Sequence, residues 1–245
     1  MVAREREVTQ PPGIAGVSPA GFSGASCGRD ARDPRGHRLW YSRGYLPHCD
    51  VPGLLQAITF RLADSLPEEA LSRLQQEDND VVRRKKIDAW LDAGHGACWL
   101  AQPDIADIVE DVLLHGDGKR YRLIAWCVMP NHVHVLIETM PGHALPKLVH
   151  SWKSFSAKRV NAKVGRTGKV WMPDYFDRYI RDDNHLAAVI AYIRNNPVTA
   201  GLVKEASNWR HSSAGIAGVS PAQKHTSGQD VCDLRQQSAK IDSSF

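Results

Sequence analysis

Two histidines separated by one residue are the first candidates for chemistry in this chain. His132 and His134 alternate with valine and isoleucine residues, and the break Met129-Pro-Asn131 precedes them. Side chains alternate along a β-strand, so both imidazoles point to the same face of the strand. Two imidazoles on one face can bind one metal ion. The same pattern also fits a half-buried strand whose histidines only form hydrogen bonds.

A tyrosine on a downstream helix is the candidate nucleophile. The spacing of apolar residues predicts an amphipathic helix from Asn184 to Asn196, which Pro197 ends; these apolar residues are Leu186, Val189, Ile190 and Ile193. At about 100° per residue, Tyr192 and Asn196 lie one turn apart on a face that they share with His185. The alternatives are a core tyrosine, an asparagine that caps the helix end, and a histidine at the surface.

The order of these motifs resembles that of the REP-associated tyrosine transposases, which are relatives of the single-tyrosine HUH transposases of small bacterial insertion sequences. The resemblance rests on the residues Met129 to Ile137, on Trp171 with Tyr175 to Arg181, and on Tyr192 to Val203. It extends from about Gly44 to Ser213. It implies an enzyme of DNA transposition that nicks and rejoins single-stranded DNA at REP-like palindromic hairpins.

The resemblance also implies roles for the site residues. Tyr192 would attack the DNA near the foot of the hairpin and form a 5′-phosphotyrosine. His132 and His134 would bind a divalent cation, and Asn196 would supply a third ligand through its amide oxygen. Imidazole and amide oxygen together suit Mg²⁺ or Mn²⁺, with water completing the coordination shell. His185 would either relay a proton or lie at the surface.

A basic stretch supports a nucleic-acid partner. Residues 147–181 hold nine lysines and arginines but only two acids, Asp174 and Asp177. Aromatic residues are interleaved with them, and exposed aromatic rings can stack on unpaired bases. We expect DNA contacts from five of the basic residues, namely Lys153, Lys158, Arg159, Arg178 and Arg181. A solvated helix face with ordinary ion pairs would produce the same charge pattern.

The two ends of the chain differ from its centre. Residues 1–43 and 214–245 are polar and lack apolar periodicity, so they are expected to be disordered. The octapeptide Gly13 to Ala20 recurs unchanged as Gly215 to Ala222. One possible coding sequence of Gly16 to Ala20 has a reverse complement that encodes Cys27 to Ala31. We therefore expect DNA palindromes at both ends of the gene, unless codon degeneracy and a biased composition explain the match.

The central part, residues 44–213, is expected to form one α+β domain. The order of predicted strands and helices fits a ferredoxin-like antiparallel sheet with helices packed on one face, as in HUH endonucleases. The charged segment 75–98 is interpreted as a solvated helical insertion without an assigned function. Five cysteines without a CxxC pair argue against a disulfide framework. No apolar run is long enough to cross a bilayer, so we expect a cytoplasmic, nucleoid-associated protein.

Two other functions fit the same residues. A domesticated transposase could grip palindromic hairpins without cutting them, and it would then be a hairpin-binding protein. A metal-dependent hydrolase unrelated to DNA joining would release free ends and would not need Tyr192. The sequence is compatible with both a monomer and a homodimer.

Overall fold

The computed structural model of the chain describes residues 40–42, 47–49, 53–70 and 80–215. Six β-strands and four longer α-helices are described within these ranges. The strands are β1 (Trp40–Ser42), β2 (Pro47–Cys49), β3 (Leu55–Arg61), β4 (Tyr121–Val128), β5 (His132–Thr139) and β6 (Phe176–Tyr179). The helices are α1 (Asp80–Asp92), α2 (Pro103–Gly116), α3 (Leu145–Val164) and α4 (Asp183–Thr199).

The main sheet has four antiparallel strands in the order β4-β5-β3-β6, and β1 pairs separately with β2. Numbered from β3 along the chain, the four strands have the spatial order 4-1-3-2 of the ferredoxin-like split βαβ arrangement. The α+β class and the ferredoxin-like antiparallel sheet that the sequence predicts are therefore confirmed. The sequence left the position of the last strand open, and this strand is the short edge strand β6.

The helices lie on both faces of the sheet, which differs from the single helical face expected. Helices α2 and α3 pack against one face, through strand residues such as Val133 and Val135. Helix α4 packs against the other face, where Leu136 meets Ile190 and Ile193. The difference arises because α4 follows the last strand and is not one of the two crossovers. It covers the face from which both histidines project.

An aromatic cluster anchors the first face. Trp152 of α3 is 1% exposed and stacks at 6.2 Å from Phe60 of β3. Its indole N–H donates to the Tyr121 hydroxyl at 3.0 Å, and that hydroxyl donates to the Leu113 carbonyl of α2. One indole thus ties both crossover helices to the sheet. Loss of a buried tryptophan of this kind typically costs about 3–5 kcal/mol.

Helix α4 begins where the sequence predicted and ends later. Asp182 is its N-cap, and the carboxylate accepts a hydrogen bond from the His185 backbone N–H at 2.8 Å. The prediction that Pro197 ends the helix is wrong, since α4 runs to Thr199. Proline lacks an N–H and its ring crowds the preceding turn, but it does not remove the carbonyl that the following turn uses. The Pro197 carbonyl still accepts from the Leu202 backbone N–H at 2.9 Å, which supports a further turn.

Several other predictions concern residues outside the described ranges. The disorder expected of residues 1–43 and 214–245 lies mostly there, since only 40–42, 214 and 215 of these are described. The repeated octapeptide at 13–20 and 215–222 also lies there, except for Gly215. The domain bounds 44–213 stay a prediction, although described contacts extend to Ser213, whose hydroxyl accepts from the Trp126 backbone N–H. Among the helices of the described ranges, none has the length and apolar character needed to span a membrane.

Candidate active site

The paired histidines lie at the start of β5 and are almost fully buried. His132 and His134 are 1% and 3% exposed. They project from the same face of the strand, as the alternation predicted, and their rings meet edge-on at 4.7 Å. The two Nε2 atoms are 3.0 Å apart. Both imidazoles therefore aim a nitrogen at one point.

The second nitrogen of each ring is bound within the protein. His132 Nδ1 lies 2.8 Å from the Asn131 side-chain oxygen, and His134 Nδ1 lies 2.9 Å from the Thr59 hydroxyl. Thr59 is the direct cross-strand partner of His134 on β3. These contacts leave the two Nε2 atoms for a ligand. Histidines that bind a metal usually have the outer ring nitrogen hydrogen-bonded to the protein in this way.

Burial keeps both rings in the form that binds a metal. It lowers the pKa of His134 from 6.5 to about 4. Burial and the neighbouring His134 lower the pKa of His132 well below its usual value. Only neutral imidazole can coordinate a cation, and both rings are neutral at pH 7.

Tyr192 is placed beside the histidines by α4. Its ring lies edge-on to His134, with centroids 5.3 Å apart and planes at 73°. Burial of Leu186, Ile190 and Ile193 against the sheet fixes the rotation of the helix and turns Tyr192 toward the histidine face. The side chain is 43% exposed, so a substrate can reach it. A tyrosine of the core would be buried, so that alternative does not fit Tyr192.

Asn196 follows Tyr192 by one helical turn and is 1% exposed. Neither its side-chain oxygen nor its side-chain nitrogen has a hydrogen-bond partner of good geometry among the described residues, although the amide lies near enough to the Tyr192 hydroxyl to lower the pKa of that group slightly. A buried amide without partners costs about 1–3 kcal/mol for each unmet group, so proteins rarely retain one without a ligand to satisfy it. Together with the converging histidine nitrogens, this amide gives a donor set that fits Mg²⁺ or Mn²⁺.

Two carboxylates near Tyr192 were missed by the sequence analysis. Burial raises the pKa of Tyr192 above its usual value of about 10, and Asp88 and Asp92 of α1 raise it further. The Tyr192 hydroxyl also forms a hydrogen bond with Asp88. The interpretation of segment 75–98 as a solvated insertion was therefore incomplete. The signal available was the i, i+4 spacing of the two acids, which places both on one helix face.

His185 stabilises the start of α4. Its Nδ1 accepts a hydrogen bond from the Arg181 backbone N–H at 3.2 Å. Burial lowers the pKa of His185, and the charges of Arg178 and Arg181 lower it further. The ring is thus neutral at pH 7, and these two arginines lie on the same side of the sheet as α4.

The five basic residues expected to contact DNA do not form one surface. The Lys153 ammonium donates to the carbonyls of Met172, Pro173 and Asp174 at 2.9–3.1 Å, so its three donors hold the loop before β6. Lys158 and Arg159 are exposed on α3, which packs on the sheet face opposite the histidines. Arg178 and Arg181 are exposed near the start of α4.

A second group of metal-binding side chains lies on the other side of the sheet. The ligand atoms of Asp107, Glu110 and His211 are within 4.8 Å of one another and could hold a cation. Each also has a partner in the protein. Glu110 accepts from the Trp126 indole at 2.8 Å, and Asp107 lies 2.8 Å from His211 Nε2 and 3.2 Å from Arg210. These contacts tie the segment after α4 to α2.

Part of the chain that contains these residues is similar to known proteins. Residues 103–196 match the family described as "Transposase IS200 like". A protein of Haemophilus influenzae named "Putative REP-associated tyrosine transposase" is 27% identical over 109 residues, which are 38% of this chain and 58% of the relative. The "REP-associated tyrosine transposase" of Escherichia coli is 28% identical over 95 residues, which are 39% of this chain and 55% of the relative. The chain thus spans less than two thirds of either relative.

A solved structure described as "Structure of the REP associates tyrosine transposase bound to a REP hairpin" superposes with a TM-score of 0.47 and 16% identity, covering 77% of this chain and 98% of that one. The family match covers His132, His134, Tyr192 and Asn196. Over that segment, the chain is similar to the family described as "Transposase IS200 like", and its relatives include proteins named as REP-associated tyrosine transposases.

Proposed function

We propose that the chain is a metal-dependent tyrosine transposase that nicks and joins single-stranded DNA at REP-like palindromic hairpins. The observation that supports this most is the position of Tyr192. The tyrosine is exposed, and it contacts a histidine whose Nε2 converges with that of a second histidine. A tyrosine beside a pair of histidines that can hold a cation is an arrangement that suits phosphodiester transfer.

His132, His134 and Asn196 would hold the cation, which is Mg²⁺ or Mn²⁺. When bound, such a cation withdraws charge from the scissile phosphate and stabilises the charge that develops during transfer. The Tyr192 oxygen forms the new bond to phosphorus, and the bond from phosphorus to the 3′-oxygen breaks. The product is a 5′-phosphotyrosine and a free 3′-OH, and the tyrosine proton is balanced by the proton that the 3′-oxygen gains. Because the covalent link preserves the phosphodiester energy, rejoining needs no ATP.

The hydrogen bond from Tyr192 to Asp88 bears on the resting state. A carboxylate that accepts this bond holds the hydroxyl protonated and in place until a substrate arrives. The negative charge of Asp88 also disfavours a phosphate at that position. DNA binding would therefore have to displace this contact, and the cation would offset the remaining negative charge.

The DNA surface that we propose lies on the α4 side of the sheet. Arg178 and Arg181 are exposed there, near the N-terminus of the helix that carries Tyr192. Guanidinium groups at a helix N-terminus are well suited to bind phosphate. Lys158 and Arg159 would contact DNA only if the hairpin extended around the α3 side.

The test uses the purified chain with end-labelled single-stranded hairpins, built from the palindromes next to its own gene, in Mg²⁺ or Mn²⁺. The expected product is a denaturant-resistant protein–DNA adduct that Tyr192→Phe does not form, although Tyr192→Phe still binds the hairpin. Free ends without an adduct, also released by Tyr192→Phe, would identify a hydrolase. Hairpin binding without an adduct under either metal would identify a DNA-binding protein that no longer cuts.

A further inference from the structure

Asn131, the residue between Pro130 and His132, is fully buried and links two parts of the chain. Its side-chain nitrogen donates to the His95 carbonyl at 3.0 Å. Its side-chain oxygen lies 2.8 Å from His132 Nδ1. A carbonyl oxygen can only accept, so the amide N–H₂ must face His95 and the amide oxygen must face His132. This assignment follows from the hydrogen bonds alone.

The orientation of Asn131 decides where the proton of His132 resides. An amide oxygen cannot donate, so His132 Nδ1 must carry the hydrogen. A neutral imidazole has one N–H, and the Nε2 of His132 therefore presents a lone pair. His134 is held differently, because the Thr59 hydroxyl can either donate to Nδ1 or accept from it. Asn131 thus fixes the tautomer of His132, and without a metal the Nε2–H of His134 can donate to His132 Nε2 at 3.0 Å while Thr59 donates to His134 Nδ1. Because the Thr59 hydroxyl can also accept, His134 can carry its proton on Nδ1 when a cation takes both Nε2 atoms.

We propose that Asn131 is a positioning residue for the metal site, which fixes the Nδ1–H tautomer of His132 and is itself held by the turn that follows α1. This inference rests on the proposed function only in that His132 is taken as a metal ligand. It also assigns a role to the segment after α1, since the His95 carbonyl keeps the amide of Asn131 from turning over.

The turn that holds the His95 carbonyl is fixed by close packing. The Ala97 backbone N–H donates to the Asp64 carboxylate at 2.8 Å. Gly96 has φ +86°, and a Cβ added there would lie 2.5 Å from the Asp64 carbonyl oxygen. Gly94 has a similar φ of +72°, but a Cβ there would meet nothing within 4 Å. The two glycines therefore form a matched pair, in which an alanine strains the backbone at both but forces the turn away from Asp64 only at Gly96.

The first experiment compares two substitutions in the full-length protein without DNA. Asn131→Leu removes both hydrogen bonds, whereas Asn131→Asp keeps an acceptor toward His132 but loses the donor to His95. Both are expected to lower the thermal stability. Only Asn131→Leu should let His132 adopt the Nε2–H tautomer, which long-range ¹⁵N–¹H NMR of [¹⁵N]histidine-labelled protein detects, with His132→Asn used to assign the signal.

The same variants are then titrated with Mn²⁺ and followed by EPR. The loss of such an outer hydrogen bond typically weakens metal binding by about 10–100-fold. We expect that loss for Asn131→Leu, and an affinity within a few-fold of the wild type for Asn131→Asp. Gly96→Ala should weaken Mn²⁺ binding and Gly94→Ala should not. If both Asn131 variants lost affinity together, or if Asn131→Leu kept the Nδ1–H tautomer, the positioning role would be refuted and Asn131 would be structural only.

This outcome is separable from the test of the proposed function. A wild-type protein that forms the tyrosine adduct while Asn131→Leu binds Mn²⁺ unchanged would refute the positioning role alone. A wild type that forms no adduct, with the Mn²⁺ and tautomer effects as expected, would refute the nicking activity and leave the positioning of His132 supported.

Discussion

The ring of Tyr192 contacts the ring of His134 within a single chain, at 5.3 Å between centroids. One copy therefore contains all four residues of the proposed site. A homodimer that exchanged this helix would instead place the tyrosine of one copy against the histidines of the other. The contact seen here favours a site that needs no exchange.

The first prediction is that two inactive variants do not complement each other. Tyr192→Phe lacks the nucleophile, and His134→Ala lacks a metal ligand. If each copy uses its own tyrosine, a mixture of the two variants forms no adduct with a labelled hairpin beyond the level of either alone. Should the mixture recover a substantial fraction of wild-type adduct, the helix is exchanged between copies. His134→Ala mixed with wild type is the control for inhibition by the inactive partner.

The second prediction concerns the buried amide of Asn196. Removing this amide should raise the stability of the metal-free protein but weaken metal binding. Asn196→Leu removes polar atoms that have no partner of good geometry among the described residues, so the metal-free protein should be as stable as the wild type or up to about 2 kcal/mol more stable. The same change should weaken Mn²⁺ binding at least about tenfold, because it removes an oxygen ligand.

Asn196→Asp is the matched variant, since it keeps an oxygen at that position. It should bind Mn²⁺ at least as tightly as the wild type and should be less stable without metal, because a carboxylate is costly to bury. Thermal denaturation with and without Mn²⁺ measures both effects. An unchanged Mn²⁺ affinity in Asn196→Leu would remove Asn196 from the ligand set.

Some of this site could be predicted from the sequence because its signals are local. The period of two in β5 placed His132 and His134 on one face, and the helical period placed Tyr192 and Asn196 together. What joins these two groups is not local. The packing of Leu136 against Ile190 determines that α4 covers the histidine face, and no spacing along the chain encodes that contact.

Other features depended on long-range packing for the same reason. Asp88 meets Tyr192 because Ile87 and Leu91 pack beside Leu66 and Phe176, which fixes the rotation of α1. In the sequence, Lys153 is one of a run of basic residues. In the fold, its ammonium group donates to three carbonyls of a loop about twenty residues away, which the sequence does not indicate. Charge composition indicated a nucleic-acid partner but could not tell which charges face it.

The third prediction follows from the low pKa of the buried histidines. The pKa of His134 is about 4 in the folded protein and about 6.5 when the chain is unfolded, so the unfolded chain binds the proton more tightly. The stability of the metal-free protein is therefore highest above pH 6.5 and falls as the pH drops from 6.5 toward 4. A shift of this size corresponds to about 3 kcal/mol at the low end of that range.

Chemical denaturation between pH 4 and pH 8 measures this dependence. His134→Asn should flatten the fall, because asparagine does not titrate. Mn²⁺ should stabilise the wild type more at pH 8 than at pH 5, since protons and the cation compete for the same nitrogens. An equally steep fall in His134→Asn would place the responsible group elsewhere.

The fourth prediction distinguishes the two groups of metal-binding side chains. His211→Ala breaks the contact with Asp107 that ties the last described segment to α2, so it should lower the thermal stability. It should leave the Mn²⁺ dependence of adduct formation unchanged, because the cluster lies on the sheet face away from Tyr192. His134→Ala should abolish that dependence. Loss of Mn²⁺-dependent adduct formation in His211→Ala, at a temperature where the variant is folded, would move the functional cation to the second cluster.

The fifth prediction compares two exposed arginines on opposite faces of the sheet. Arg181 lies beside His185 at the start of α4, whereas Arg159 lies on α3 and pairs with Asp111 at 3.4 Å. If DNA lies along the α4 side, Arg181→Met weakens hairpin binding and lowers the slope of log K against log salt by about one, as expected for one lost phosphate contact. Arg159→Met should leave the hairpin affinity and the salt slope nearly unchanged, because Arg159 would not touch DNA there. The loss of its exposed ion pair should also cost little stability.

Binding to the same hairpin across a salt series measures the slope for each variant. A larger loss in Arg159→Met than in Arg181→Met would place the DNA on the α3 side and would require the hairpin to extend around the sheet to reach Tyr192.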